Sequence, residues 1–237
     1  SIIMKHTLLI KDWLSSFLSL LFPRCCVVCG RPLAKGEECI CTVCNINLPR
    51  TNYHLRKDNP VERLFWGQIP LERATSFFFY EKGSDFRLIL HRLKYGGQKE
   101  IGAIMGRYMA AELLSSNFFQ GIDVIIPIPL HKKKQQIRGY NQSEWIARGI
   151  AAVTGIPIDT ESILRKKNTE TQTRKSVFER RDNVEGIFEL QHPETLAGKH
   201  ILIVDDVLTT GSTTLACASC LVNVEGIRIS ILTLATA

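Results

Sequence analysis

From about residue 72 onward, short apolar runs alternate with longer amphipathic stretches. Short apolar runs bounded by turn residues are typical of buried strands, and apolar positions at helical spacing are typical of helices packed on a sheet. Their alternation predicts an α/β domain over residues 72–237, with a mostly parallel sheet flanked by helices. The predicted strands are residues 74–80, 123–129, 186–190, 200–206 and 228–236, and the predicted helices are residues 85–94, 100–114, 141–153 and 212–222.

The first residues of the chain have a different pattern. Over residues 1–22 the apolar positions fall at helical spacing, Lys11 and Asp12 interrupt them, and no small-residue cleavage site follows. This pattern predicts an amphipathic helix packed on the protein, rather than a signal peptide or a transmembrane segment. A helix lying at a membrane interface is the alternative. A polar linker is predicted to extend from the end of the cysteine-rich segment to about residue 72.

Residues 23–55 carry six of the eight cysteines and few apolar residues, so we expect this segment to need a cross-link or a bound metal to fold. Paired CxxC spacings in a chain without a clear export signal favour metal ligands and a reducing compartment, which predicts a cytoplasmic protein. Four thiolates satisfy tetrahedral Zn²⁺ with no open position, so the predicted zinc is structural. The predicted ligands are Cys26, Cys29, Cys41 and Cys44, with Cys25 and Cys39 as alternatives.

The stretch ILIVDDVLTTGST at residues 201–213 is a buried strand that ends in Asp205 and Asp206 and runs into a hydroxyl-rich turn before a helix. Free N–H groups and the helix dipole favour a phosphate at such a turn. The carboxylates repel a phosphate but accept hydrogen bonds from the vicinal hydroxyls of a ribose. The sequence therefore predicts a ribose 5′-phosphate site, although an acidic strand end that caps the helix through Ser212 is the alternative. The phosphate-binding residues of this prediction are Thr209, Thr210, Gly211, Ser212 and Thr213.

A second strand end, in IPIPLHKKKQQIRGYNQ at residues 126–142, combines stiffness with positive charge. Prolines restrict the backbone, and the cations that follow form either a solvated face or contacts to pyrophosphate or a nucleic-acid backbone. Asn141 is a candidate helix N-cap, and KYGG at residues 94–97 indicates a helix that ends at glycine, with Lys94 a secondary site candidate. The stiff loop consists of Pro127, Ile128 and Pro129, and the candidate cationic contacts that follow it are Lys132, Lys133, Lys134 and Arg138.

Residues 165–185 are polar and basic, and we predict a mobile loop there. Such a loop adds counter-charge over a phosphate-rich pocket, attracts single-stranded DNA, or is simply solvated. The net charge of +7 is consistent with an anionic partner of either kind. The candidate contacts in this segment are Arg174, Arg180 and Arg181.

Taken together, several ordered motifs resemble those of the ComF (ComFC) family of competence proteins, whose main domain is similar to type I phosphoribosyltransferases. They include LFPRCCVVCG with CTVCNINLP, HRLKYGG, IPIPLHKKKQQIRGYNQ, TQTRKSVFERRDNVEGIF and DDVLTTGST, with Tyr140 where the family has Phe. The resemblance implies a type I phosphoribosyltransferase-like fold, a pyrophosphate-binding loop at residues 127–129 and binding of 5-phosphoribosyl 1-pyrophosphate (PRPP) with Mg²⁺.

The same resemblance implies a role in DNA uptake during natural transformation, with single-stranded DNA and competence proteins as partners. No residue of the sequence is identifiable as a general base, so a transferase with an unknown acceptor stays one hypothesis. The alternatives are a non-catalytic competence factor that binds single-stranded DNA and a zinc-dependent interaction adaptor.

Overall fold

The computed structural model describes residues 24–166 and 186–237. The chain divides into two compact units, Ser1–Leu48 and Pro49–Ala237. The described part of the first unit is the cysteine-rich segment, which contains the short helix α1 (Thr42–Ile46). The predicted helix over residues 1–22 and residues 167–185 of the predicted basic loop, including Arg174, Arg180 and Arg181, lie outside the described residues. The start of that predicted loop is wrong, because Arg165 is the last residue of a strand.

The second unit is built on a four-stranded parallel sheet, because its longest strands are continuous apolar runs that need cover on both faces. The strands of this unit are β1 (Leu71–Phe79), β2 (Val124–Pro127), β3 (Ile163–Arg165), β4 (Phe188–Leu190), β5 (His200–Leu208) and β6 (Arg228–Thr236). The sheet has the order β1-β6-β5-β2, and Val204 of β5 lies in register with Leu232 of β6. The predicted mostly parallel α/β fold is confirmed.

Two smaller pairings lie beyond the sheet. β3 and β4 form an antiparallel pair on either side of residues 167–185, with Leu164 opposite Glu189. Ile158 bridges Ile125 of β2 in parallel, so the extended chain around this residue continues the sheet at that edge. The extended segment predicted near residues 157–164 therefore supplies both the bridge and the start of the antiparallel pair.

Helices cover the sheet, and glycines allow two of them to approach closely. The helices of this unit are α2 (Pro60–Arg63), α3 (Arg87–Tyr95), α4 (Glu100–Leu113), α5 (Lys132–Arg138), α6 (Gln142–Thr154) and α7 (Ser212–Ser219). A Cβ atom on Gly149 of α6 would lie 2.1 Å from the carbonyl oxygen of Ala103 of α4. This distance is far below any van der Waals contact, so only glycine permits the observed approach of α4 to α6.

The predicted linker before residue 72 is wrong for residues 59–65, which form a capped helix and pack in the core. Asn59 caps α2 through a capping box with Glu62, and Val61 and Phe65 are buried in the core against β5 and α7. Cys217 is fully buried in the same core, as expected for the apolar face of α7. Among residues 24–166 and 186–237, no helix combines the length and the apolar character needed to cross a membrane.

Candidate functional site

The carboxylates of Asp205 and Asp206 are buried near the end of β5, at the carboxyl edge of the sheet. Ser143 Oγ, from the first turn of α6, donates a hydrogen bond to Asp205 Oδ1 over 2.9 Å, and the N–H of Asp206 donates to the same oxygen over 2.8 Å. Burial, reinforced by the charge of Asp206, raises the pKa of Asp205 to about 7. The pair therefore lacks enough protein donors to hold two negative charges comfortably near neutral pH.

The second carboxylate of the pair faces a cation. Lys94 Nζ, at the end of α3, lies 3.1 Å from Asp206 Oδ2. This contact is an ion pair without hydrogen-bond geometry, and Oδ2 accepts no hydrogen bond from any residue that the structure describes. A buried carboxylate oxygen with a positive charge beside it, but with its lone pairs unused, is suited to a cation or to a hydroxyl donor.

The turn after β5 leads directly into α7. Gly211 adopts φ +75° as the residue before this helix, and a Cβ atom there would lie 3.4 Å from the buried ring of Phe65. Thr210 Oγ1 lies 2.8 Å from Ser212 Oγ and accepts a long hydrogen bond from the N–H of Ser212 over 3.4 Å. The N-cap residue is Gly211, which has no side chain to cap α7, so the alternative of capping through Ser212 is not observed. The positive end of the helix dipole stays available to an anion at the hydroxyl-rich turn.

The segment RGYNQ connects three elements around the site. The hydroxyl of Tyr140 donates to the carbonyl of Leu93 in α3, and Asn141 Nδ2 donates to the carbonyl of Ile128 over 3.0 Å. Asn141 Oδ1 also accepts from the N–H of Ser143 over 3.1 Å, which confirms its prediction as an N-cap. Arg138 donates to the side chain of Gln142. The motif thus fixes the loop after β2 and the direction of Arg138.

A cavity of about 310 Å³ unites most of the predicted residues. Two predicted residues, Pro127 and Lys132, line a neighbouring cavity of about 570 Å³ instead, and Lys133 is exposed to solvent. Arg165, the first residue of the predicted basic segment, also lines the first cavity. Tyr95 and Gln142 line it without having been predicted to do so, and the support of Asp205 by Ser143 was not predicted either. The predicted residues that line it are Lys94, Ile128, Pro129, Lys134, Arg138, Asp205, Asp206, Thr209, Thr210, Gly211, Ser212 and Thr213.

Comparison with known proteins identifies the family of this chain. Residues 142–237 match the phosphoribosyl transferase domain. The DNA utilization protein YhgH of Escherichia coli O157:H7 is 32% identical over 206 residues, which cover 81% of this chain and 87% of the relative. The chain belongs to the ComF family.

A second curated relative of this ComF-family chain agrees with that assignment. Competence protein ComFC of Bacillus subtilis is 26% identical over 214 residues, covering 88% of this chain and 82% of the relative. Adenine phosphoribosyltransferase of Leishmania tarentolae aligns over 80% of this chain and 94% of its own, with 12% identity and a TM-score of 0.38. A likeness this loose carries no argument about the site.

The ComF-family chain also gathers four thiols in its first unit. The Sγ atoms of Cys26, Cys29, Cys41 and Cys44 all lie within 4.8 Å of one another, and those of Cys29 and Cys41 are 3.7 Å apart. Bonds of about 2.3 Å to tetrahedral zinc place sulfurs roughly 3.8 Å apart, so the cluster fits this metal. The N–H of Cys41 donates to Cys26 Sγ over 3.3 Å, as expected for a zinc knuckle.

The protonation of these thiols is uneven. A hydrogen bond from the Arg31 side chain lowers the pKa of Cys29 to about 6, whereas burial raises the pKa of Cys44. Four thiolates in such a small volume repel one another, and a dication at their centre removes that repulsion. The donor set and spacing are therefore compatible with structural zinc. Of the alternative ligands, Cys25 is exposed and Cys39 lies outside the four-sulfur cluster.

Proposed function

We propose that this protein binds PRPP with Mg²⁺ at the carboxyl edge of its sheet. The observation that carries the proposal is one cavity of about 310 Å³ that brings together a buried carboxylate pair, a helix start with glycine as its N-cap residue and four cationic side chains. A ribose with a phosphate on one side and a pyrophosphate on the other needs this combination of groups. The match to the phosphoribosyl transferase domain supports the same ligand class.

Each part of PRPP has a complementary group in the cavity. The N–H groups and hydroxyls of residues 209–213 bind the 5′-phosphate, with the dipole of α7 behind them. Asp205 and Asp206 accept hydrogen bonds from the ribose hydroxyls. Lys94 and Arg138 face the pyrophosphate, beside the rigid loop at residues 127–129.

The carboxylate pair fits a magnesium ion by the chemistry of its donors. Mg²⁺ prefers carboxylate and phosphate oxygens and keeps several waters, so one or two carboxylates suffice when the ligand supplies phosphates. The ammonium group of Lys94, 3.1 Å from Asp206 Oδ2, supports a preference of this oxygen for positive charge. A bound pyrophosphate attracts Lys94 away from Asp206 Oδ2 and leaves this oxygen accessible to the metal.

The reaction class that suits this arrangement is transfer of the phosphoribosyl group. The bond from C1 to the pyrophosphate oxygen breaks, the electron pair leaves with pyrophosphate, and a nucleophilic acceptor bonds to C1 and releases its proton to water. The protein contributes orientation and stabilisation of the departing charge. The geometry does not single out a general base, so the acceptor must be identified by experiment.

We further infer that the protein acts in the cytoplasm in the uptake or use of DNA, with competence proteins and single-stranded DNA as partners. Relatives with this role in their names, DNA utilization protein and competence protein, support the inference. The exposed Lys132 and Lys133 beside the cavity supply cations for a nucleic-acid backbone. A purely DNA-binding factor is the alternative, and it requires affinity that falls steeply with salt and does not depend on PRPP.

Calorimetric titration of the zinc-loaded protein with PRPP and Mg²⁺ tests the proposal. The unaltered protein is expected to bind, and the double variant Asp205→Asn/Asp206→Asn to lose at least about 100-fold in affinity, because both hydroxyl acceptors lose their charge. Asp85→Asn, which removes an exposed carboxylate elsewhere, is the matched control and is expected to bind normally. Absence of binding by the folded, unaltered protein would leave the DNA-binding alternative.

A further inference from the structure

A third cavity, of about 410 Å³, adjoins the proposed PRPP site. It lies between the end of α3 and the end of α5, and we call it the α3–α5 cleft. Its size falls in the range that small ligands occupy. The first four of its six residues also line the PRPP cavity: Lys94, Tyr95, Lys134, Arg138, Gly97 and Ile137.

Two apolar side chains are unusually exposed at this cleft. Tyr95 is 72% exposed at the end of α3, and Ile137 is 89% exposed near the end of α5. The guanidinium of Arg138 lies 5.6 Å from the centre of the Tyr95 ring, and the ring of His91 lies 5.3 Å away on the same helix. The Tyr95 ring is thus held in place by its neighbours and still presents a large accessible area.

The cations of the cleft surround these apolar side chains. Lys94, Lys134 and Arg138 line it together with Tyr95, Gly97 and Ile137, and none of these six residues carries a carboxylate. An aromatic ring and an aliphatic side chain bind a flat apolar group, whereas a cationic border selects a ligand that carries negative charge. A nucleotide unit has both parts, a flat base and a phosphate.

We propose that the α3–α5 cleft binds a nucleotide unit, with its base against Tyr95 and Ile137 and its phosphate at Lys134 and Arg138. Either a free nucleotide or one nucleotide of a single strand supplies this chemistry. The proposal rests on the proposed function only where it places this unit beside bound PRPP, since Lys94 and Arg138 line both cavities. The cleft would then hold a second ligand next to the phosphoribosyl group.

The test uses the full chain and four probes: thymidine 5′-monophosphate, thymidine, a fluorescent single-stranded oligothymidylate of eight nucleotides, and PRPP with Mg²⁺. Tyr95→Ala is expected to weaken nucleotide binding about tenfold, because base stacking on an aromatic ring is lost. Tyr95→Phe keeps the ring and is expected to stay within about twofold of the unaltered protein. Thymidine is expected to bind about tenfold more weakly than its monophosphate, because it lacks the charge.

Two further variants separate this proposal from the PRPP site. Ile137→Ser is expected to weaken nucleotide binding about threefold and to leave PRPP affinity unchanged, because Ile137 lines only the cleft. The Asp205→Asn/Asp206→Asn variant is expected to lose PRPP binding and keep nucleotide binding. If only the oligothymidylate shows the Tyr95 dependence, a strand is the ligand. The proposal would be overturned if thymidine 5′-monophosphate and the oligothymidylate both failed to bind, or if both bound with affinities that Tyr95→Ala and Ile137→Ser leave unchanged. This holds whether or not the protein binds PRPP.

Discussion

The cysteine cluster and the carboxylate pair both bring metal-ligating side chains together. They differ in that the cluster supplies every donor a metal needs, whereas the carboxylate pair leaves positions for a bound molecule. The four sulfurs of the first unit lie within 4.8 Å of one another and supply all four donors that structural zinc takes. Asp205 and Asp206 line a cavity of about 310 Å³, and one oxygen of the pair has no hydrogen bond from the described residues. A closed set is suited to hold a fold together, and an open set is suited to bind a substrate.

Breaking the closed set is expected to have the largest effect. Cys44→Ser removes a buried sulfur from the cluster, so the protein should lose its zinc and the first unit should unfold, since the binding energy of structural zinc is folding energy of about 10 kcal/mol or more. Zinc content and proteolysis after Leu48 measure both consequences. Cys25→Ser is the matched control, because Cys25 is exposed and outside the cluster. Loss of zinc in the Cys25 variant, with zinc kept in the Cys44 variant, would contradict the ligand set.

The carboxylate pair is instead expected to lower the free energy of unfolding, by an amount that depends on pH. Because the pKa of Asp205 is raised from 3.8 to about 7, the folded protein binds a proton that the unfolded chain has already released between these values. The free energy of unfolding should therefore decrease as the pH rises from about 4 to about 7, by up to about 4 kcal/mol. Asp205→Asn removes this pH dependence. The free energy of unfolding of the variant, compared with that of the unaltered protein at the same pH, should therefore be higher at pH 8 than at pH 5.

Urea unfolding of both proteins at the two pH values measures the difference. The comparison between variants cancels the pH dependence of zinc binding, which both proteins share. An equal difference in the free energy of unfolding at pH 5 and at pH 8 would show that Asp205 does not carry a raised pKa.

The smallest effect is expected at the phosphate-binding turn. Gly211→Ala places a side chain at φ +75° against the Phe65 ring, which should cost about 1–2 kcal/mol and weaken PRPP binding severalfold as the turn shifts. Gly155→Ala is the matched control, since Gly155 has φ +74° at the end of α6 with nothing within 4 Å of a Cβ atom. The control should lose similar stability and bind PRPP normally. Equal PRPP affinity in both variants would show that the turn at residues 209–213 does not take part in PRPP binding.

The parts of the site that are neighbours in the sequence were predictable. Asp205, Asp206 and the turn follow one another directly, so the strand, the charge and the helix start appear in a single motif. Ser143 and Lys94 come from helices whose packing brings them to Asp205 and Asp206. Contacts between residues so far apart depend on tertiary structure, and no local pattern in the sequence indicates them.

Two structured segments were missed although local signals existed. Asn59, Pro60 and Glu62 form a capping box with proline at the first helical position, which is a recognisable helix start within the supposed linker. Helix α5 consists mainly of lysine and glutamine, which favour helices but give no apolar periodicity from which to predict one. The ring of Tyr95 at the end of α3 was likewise hidden, because a motif that ends a helix does not tell which side chains remain exposed.

The most direct test of the central claim is a crystal structure of the protein with PRPP and Mg²⁺. The account predicts the 5′-phosphate within hydrogen-bond distance of the N–H groups of residues 209–213, the ribose hydroxyls at Asp205 and Asp206, and Lys94 moved away from Asp206 Oδ2. PRPP bound elsewhere on the protein, with the Lys94–Asp206 ion pair unchanged, would contradict it.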